Sequence, residues 1–288
     1  MRAAALCAIT LLLAIVVSPP VLAASVWLAA LHDAGHVLVF AAIGALLCVL
    51  MEPRGVPRLV LFFVVIAVLA VGSELAQPYA SMGDVGRDLL GASIGVLAWS
   101  GWRRRRRTPW ILAAILLAIG LAPLAFTGWA YAQRALHPEV VWDAGRATWR
   151  VFLEPPVAGG YARHAAGLRF TATDDAYAGV SIREPPHDWR GYDTLRIAIG
   201  NPGPTPIRVN VRIDDRPRDT AYEDRFNRER TVPAGAAVAW RIALADIERG
   251  PQGRRLDLSR IERVVVFLST GSRGAAFDLA GVRLERAP

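Results

Sequence analysis

Six polar side chains interrupt otherwise apolar runs early in the chain: Asp33 and His36, Glu74 and Gln77, and Asp84 and Asp88. Each pair is spaced i,i+3 or i,i+4, so on a helix its two members share one face. An imidazole among carboxylates can hold a divalent metal ion, relay protons or serve as a general acid/base pair. The plainer role open to the same groups is to hydrogen-bond helices together, at about 1 kcal/mol per bond in a membrane. No nucleophile elbow, glycine-rich phosphate loop or HExxH accompanies them, so the sequence assembles no complete catalytic constellation.

The elements that must position these groups are apolar helices. A helix needs about 20 apolar residues to cross a bilayer. Five runs approach that length, at residues 3–24, 31–51, 58–77, 84–102 and 109–131. The first is read as a retained helix, with a signal peptide ending at Val21-Leu22-Ala23 as the rival. Arginine placement orients the set: Arg2, Arg54, Arg58 and the run from Arg103 to Arg107 fall on one side, and only Arg87 on the other. The N-terminus is therefore expected in the cytoplasm, with the chain multi-pass in the cytoplasmic membrane and residues 132–288 outside. This topology gathers all six polar groups at the outer ends of spans two, three and four. Gly91 and Gly95 continue the Asp84/Asp88 stripe as a GxxxG, which suits a close helix contact within the chain or with a second copy.

These motifs carry a resemblance. Asp33-x-x-His36-x-x-x-Phe40, then Ser73-Glu74-Leu75-Ala76-Gln77, then Asp84-x-x-x-Asp88-x-x-Gly91-Ala92-x-x-Gly95 resembles the VanZ-like family over about residues 1–102. Those are small membrane proteins named for a member linked to teicoplanin resistance. The resemblance implies a helical membrane domain and a link to glycopeptide-antibiotic tolerance. Two features depart from the family pattern. The stretch from Gln77 to Asp84 is short and lacks an Arg, and Asp88 stands where the family usually has Asn.

The remainder of the chain is unlike this half. All 33 basic residues are Arg, and nine of them lie within residues 1–127 with five of the 25 acidic ones. The net charge of +8 is thus shared evenly between the halves and forms no single basic patch, which excludes nucleic acid as a partner. The only cysteines, Cys7 and Cys48, lie in the apolar runs, so the polar half has neither a disulfide nor a cysteine metal site.

Residues 132–165, broken by Pro138, Pro155, Pro156, Gly159 and Gly160, read as a linker in which 140–142 and 148–153 pair as early strands. From 166 to 288 short alternating strands separated by turn residues predict an all-β sandwich, jelly-roll-like, with 261–268 as a central strand covered on both faces. Trp189-x-Gly191-Tyr192-x-x-Leu195, Val211-Arg212-Ile213-Asp214-Asp215, Tyr222-x-x-Arg225-Phe226, Leu256-Asp257-Leu258-Ser259-x-Ile261 and Phe277-Asp278-Leu279 make the pattern similar to galactose-binding-like and carbohydrate-binding-module sandwiches.

Sugars are bound by aromatic platforms aided by planar polar groups. The loop from 214 to 230 offers Asp214, Asp215, Tyr222, Asp224, Arg225, Asn227 and Arg230; the competing role for these residues is ion pairing on a solvated face. Trp189, Tyr192 and Trp240 read as packing residues. In related modules a calcium ion staples the sandwich, and Asp278 with Asp174 could supply carboxylates here. The resulting expectation is a non-enzymatic envelope protein that binds a glycan or lipid-linked precursor through its outer sandwich. Two alternatives stay open: an enzyme or metal/proton site at His36, Glu74 and Asp84, and a protein-docking scaffold.

Overall fold

A computed structural model describes residues 2–17, 25–53, 55–77, 81–154, 159–164, 167–173, 178–215, 222–269 and 271–287. The chain divides into two compact units, Met1–Gly128 and Trp129–Pro288.

The first unit is helical: α1 (Arg2–Val17), α2 (Val26–Met51), α3 (Val56–Leu75), α4 (Met82–Arg104) and α5 (Arg107–Leu136), whose last turns belong to the second unit. Local chemistry sets their ends. The Ser25 Oγ accepts from the N–H groups of Trp27 and Leu28, and Pro57 lies in the first turn of α3, where a missing N–H is harmless. By length and composition α2, α3 and α5 can cross a membrane. This is fewer than the five runs read from the sequence. The apolar part of α1, Ala3–Val16, is shorter. In α4, Asp84, Arg87, Asp88 and the glycines dilute the apolar content, because one face of that helix is covered by protein.

The covering partner is α2, and glycine makes the contact. A Cβ on Gly95 would stand 2.2 Å from the Ala41 carbonyl oxygen, and one on Gly91 would stand 2.4 Å from that of Val37. Gly44 of α2 in turn lies against the Ala92 backbone. Small residues let the two backbones touch, which maximises dispersion between the helices. Of the two contacts this GxxxG suits, the structure shows the one within the chain. Phe40, Ile43, Phe62, Ile66 and Ala92 complete the buried core.

In the second unit the described residues form eleven strands in two antiparallel sheets. They are β1 (Val140–Asp143), β2 (Leu153–Glu154), β3 (Gly159–His164), β4 (Gly167–Ala172), β5 (Gly179–Arg183), β6 (Thr194–Gly200), β7 (Ile207–Asp214), β8 (Phe226–Val232), β9 (Ala237–Ala243), β10 (Arg263–Leu268) and β11 (Ala276–Glu285). A short α6 (Leu244–Glu248) follows β9. One sheet runs β3-β4-β11-β6-β9 with β1 also on β11, the other β2-β5-β10-β7-β8. From β4 to β11 the chain changes sheet at most connections, the habit of a jelly roll. Alternation decides which side chains enter the core: Leu195, Ile197 and Ile199 of β6 face Val209, Val211 and Ile213 of β7 across an interior that includes Trp142, Trp149 and Trp189.

Three features differ from the sequence reading. The stretch expected as a linker with two early strands supplies three, β1, β2 and β3. Residues 140–142 pair with β11 rather than with 148–153, which is mostly a 3₁₀ turn, Ala147–Phe152, leading into β2. Strand β10 is central, between β5 and β7, but alternates buried and half-buried residues, since only its inner face meets the other sheet.

Candidate functional site

The candidate residues fall into two groups, one in each unit. In the helical unit, parallel packing of α2 and α4 sets His36 beside Asp88. The His36 Nδ1 lies 2.8 Å from the Asp88 Oδ1, with both side chains withdrawn from solvent. The other ring nitrogen, Nε2, is 3.2 Å from Nε2 of His32, one turn earlier on α2. Glu74, at the end of α3, is buried; its Oε1 accepts from the Gln77 side chain at 2.9 Å and its Oε2 from the Ser81 N–H at 2.8 Å. Ser81 caps α4, so Glu74 ties the end of one helix to the start of the next. Arg87 reaches Asp33 at 2.8 Å and also pairs with Asp84.

One ring nitrogen of His36 and one carboxylate oxygen each of Glu74 and Asp84 lie within 4.8 Å of one another. The structure therefore draws His36, Glu74, Asp84 and Asp88 into one cluster. Gln77 is attached to it through Glu74, and the half-exposed Asp33 through Arg87. Sequence reasoning passed over three members. His32 stands at i−4 from His36, a spacing that could have flagged it. Arg87, counted only for topology, stands at i+3 from Asp84. Ser81 carried the signal of a helix cap before an acidic first turn.

The loop of the sandwich behaves differently. Asp214 and Asp215 are buried and serve the fold. Asp214 accepts from Arg212 Nε at 2.8 Å. Asp215 receives a fork from Arg254, at 2.6 and 2.7 Å, and the Asp257 N–H at 2.8 Å. The same guanidinium pairs with Asp224 and donates to the Asp224 carbonyl at 2.6 Å. Burial alone would push the Asp215 carboxyl up, but Arg254 and the Asp257 N–H outweigh it and hold the group below the ordinary carboxylate value.

This clamp presents what remains of the loop. Tyr222 is 64% exposed, Arg225 stands over its ring at 5.6 Å, and Asn227 Nδ2 donates to its carbonyl oxygen at 3.1 Å. The three carboxylates expected at a ligand are thus spent on structure, while Tyr222 is exposed and Arg225 and Asn227 stand half-buried beside it. Nothing local marked Arg254, because it acts across 39 residues. Trp189 and Trp240 are buried in the core with Tyr192 packed against it. Asp278, expected as a calcium ligand, is engaged by Arg169 at 2.8 and 2.9 Å, and Asp174 lies outside the described residues.

A shallow groove of about 260 Å³ also crosses the outer face of β6, β9 and β11. Its floor is Ala198, Gly200, Ala237 and Ala239, and Arg196 and Asp278 edge it. It offers no aromatic ring.

No family model and no curated protein matches the chain. Among solved structures the sandwich is similar in fold to a family 11 carbohydrate-binding module from Clostridium thermocellum in complex with a β-1,3-1,4-mixed-linked tetrasaccharide. That likeness has 17% identity and a TM-score of 0.35, covering 45% of this chain and 82% of that one. A family 29 carbohydrate binding module is similar at 13% identity and TM-score 0.35, covering 51% and 90%. An exo-β-agarase is similar at 15% identity and TM-score 0.41 over 52% of this chain, which spans only 25% of the agarase.

Proposed function

We propose that this chain is a multi-pass membrane protein of the bacterial cell envelope whose sandwich binds a glycan or a lipid-linked precursor on the outer side. The observation that carries the binding role is Tyr222. It is the most exposed aromatic ring of the described sandwich, it is accompanied by a guanidinium, and its loop is anchored by the Asp215–Arg254–Asp224 clamp. An exposed ring beside a planar cation suits the apolar face and hydroxyl edge of a pyranose.

The membrane role is supported by two features. The helices expose Leu59, Val60, Leu61, Val64 and Val68 on α3 and Ile111, Ile115 and Ile119 on α5, an apolar surface that water would penalise. Within the helical unit, Arg103 at the end of α4 pairs with Glu52 just after α2, at 3.6 Å. The Arg103 end of α4 thus lies away from the His36 cluster, in keeping with a topology that keeps the arginine-rich ends on one side. The resemblance to VanZ-like proteins makes wall precursors the ligands to try first and glycopeptide tolerance the cellular readout.

The test is binding of the full chain in lipid nanodiscs to purified sacculi, lipid-linked precursor and a sugar panel. Saturable binding that disappears in Tyr222→Ala and Arg225→Ala supports the reading. A folded chain that binds none of them overturns it.

A further inference from the structure

We infer that the helical unit holds a divalent transition-metal ion, of the zinc or manganese class, on His36, Glu74 and Asp84. The site is independent of the glycan reading and lies in the other unit. One nitrogen and two carboxylate oxygens within 4.8 Å already form an incomplete coordination shell. Donors on a four-coordinate ion with bonds of about 2.0–2.2 Å stand about 3.3–3.6 Å apart. Closing the set therefore takes a shift of about 1 Å, within reach of side-chain torsions alone.

Three further observations point to a cation. First, Asp88 grips Nδ1 of His36, and metal-binding histidines characteristically give their second nitrogen to a carboxylate, which fixes the ring and raises its basicity. Second, Nε2 of His32 stands 3.2 Å from Nε2 of His36, so a second imidazole borders the cluster. Third, charge is unbalanced. Among the described residues, Asp33, Glu74, Asp84 and Asp88 face one guanidinium, Arg87, and two imidazoles. Asp88 is fully buried, and among the described residues its Oδ2 has no hydrogen-bond partner. Anionic groups in an apolar helical unit are costly unless a cation offsets them.

The donor set selects the class of ion. An imidazole nitrogen with carboxylates suits zinc and manganese, whereas calcium and magnesium favour shells made wholly of oxygen. Three protein donors leave a fourth position for water or an anionic oxygen.

The experiment uses the full chain in nanodiscs, freed of any polyhistidine tag and stripped with chelator. Zinc and manganese are each titrated with magnesium and calcium as controls, and retained metal is counted by mass spectrometry. The expected result is saturable uptake of about one zinc or manganese ion per chain. Uptake should be lost in Glu74→Gln and Asp84→Asn and weakened about 10–100-fold in Asp88→Asn. Circular dichroism on each variant shows that it keeps its helices, and only folded variants are compared. No saturable uptake by the folded natural chain overturns the site, as does uptake unchanged in both Glu74→Gln and Asp84→Asn.

Discussion

The Asp88 carboxylate meets the His36 imidazole at 2.8 Å between α2 and α4, whose contact also carries the Arg87–Asp33 pair and is elsewhere made of glycine, alanine and apolar side chains. Neither group has water to fall back on, so each is the other's principal polar partner across this contact. The His36→Ala and Asp88→Ala variants are therefore expected to be non-additive. A double-mutant cycle read by denaturation in detergent should return a coupling of about 1 kcal/mol, the upper part of the range for bonds between membrane helices.

Close approach of α2 and α4 predicts a steric effect at Gly95. Replacing it with Val puts a branched side chain where even a Cβ would stand 2.2 Å from Ala41 O. The expected loss is about 1–3 kcal/mol, the usual cost of overpacking, read as a lower thermal midpoint. Gly35 has open space for a Cβ, so Gly35→Ala should leave the midpoint unchanged or raise it.

In the sandwich, Arg254→Ala leaves Asp215 buried without its guanidinium, and a loss of about 2–3 kcal/mol is expected. The sign of the pH dependence follows from the lowered carboxyl. Because the folded-state value of Asp215 lies below the ordinary 3.8, its contribution is full above that pH and is lost as pH falls through the folded value. Acid titration of stability should therefore steepen below about pH 4. Asp215→Asn should flatten that slope while lowering stability at neutral pH.

Ligand binding and stability should separate at Tyr222. The ring is exposed, so Tyr222→Ala should change stability by no more than about 0.5 kcal/mol while abolishing glycan binding. Ala198→Phe, which fills the groove on the opposite sheet, should leave binding intact. If Ala198→Phe alone abolishes binding, the ligand lies on the alanine floor instead.

The proposed topology predicts labelling. A chain with Cys7 and Cys48 replaced and a single cysteine at the exposed Gln252 should react with a membrane-impermeant maleimide once the outer face of the cytoplasmic membrane is accessible. A cysteine at exposed Arg106 should react only after the cells are opened.

What the sequence by itself determined is the character of each element. Long apolar runs specify helices, and alternation at Leu195, Ile197 and Ile199 or at Val209, Val211 and Ile213 specifies strands, because burial on one face is a periodic and local property. It also grouped Asp33 with His36, Glu74 with Gln77 and Asp84 with Asp88, since helical spacing is local too. What only the tertiary structure decided is which of these groups meet. His36 finds Asp88 across 52 residues, and Arg254 takes Asp215 and so removes it from the candidate binding face. Val140 joins β11 because the open edge of that strand lies far along the chain. Such pairings depend on how elements pack, and no window of neighbouring residues contains both partners.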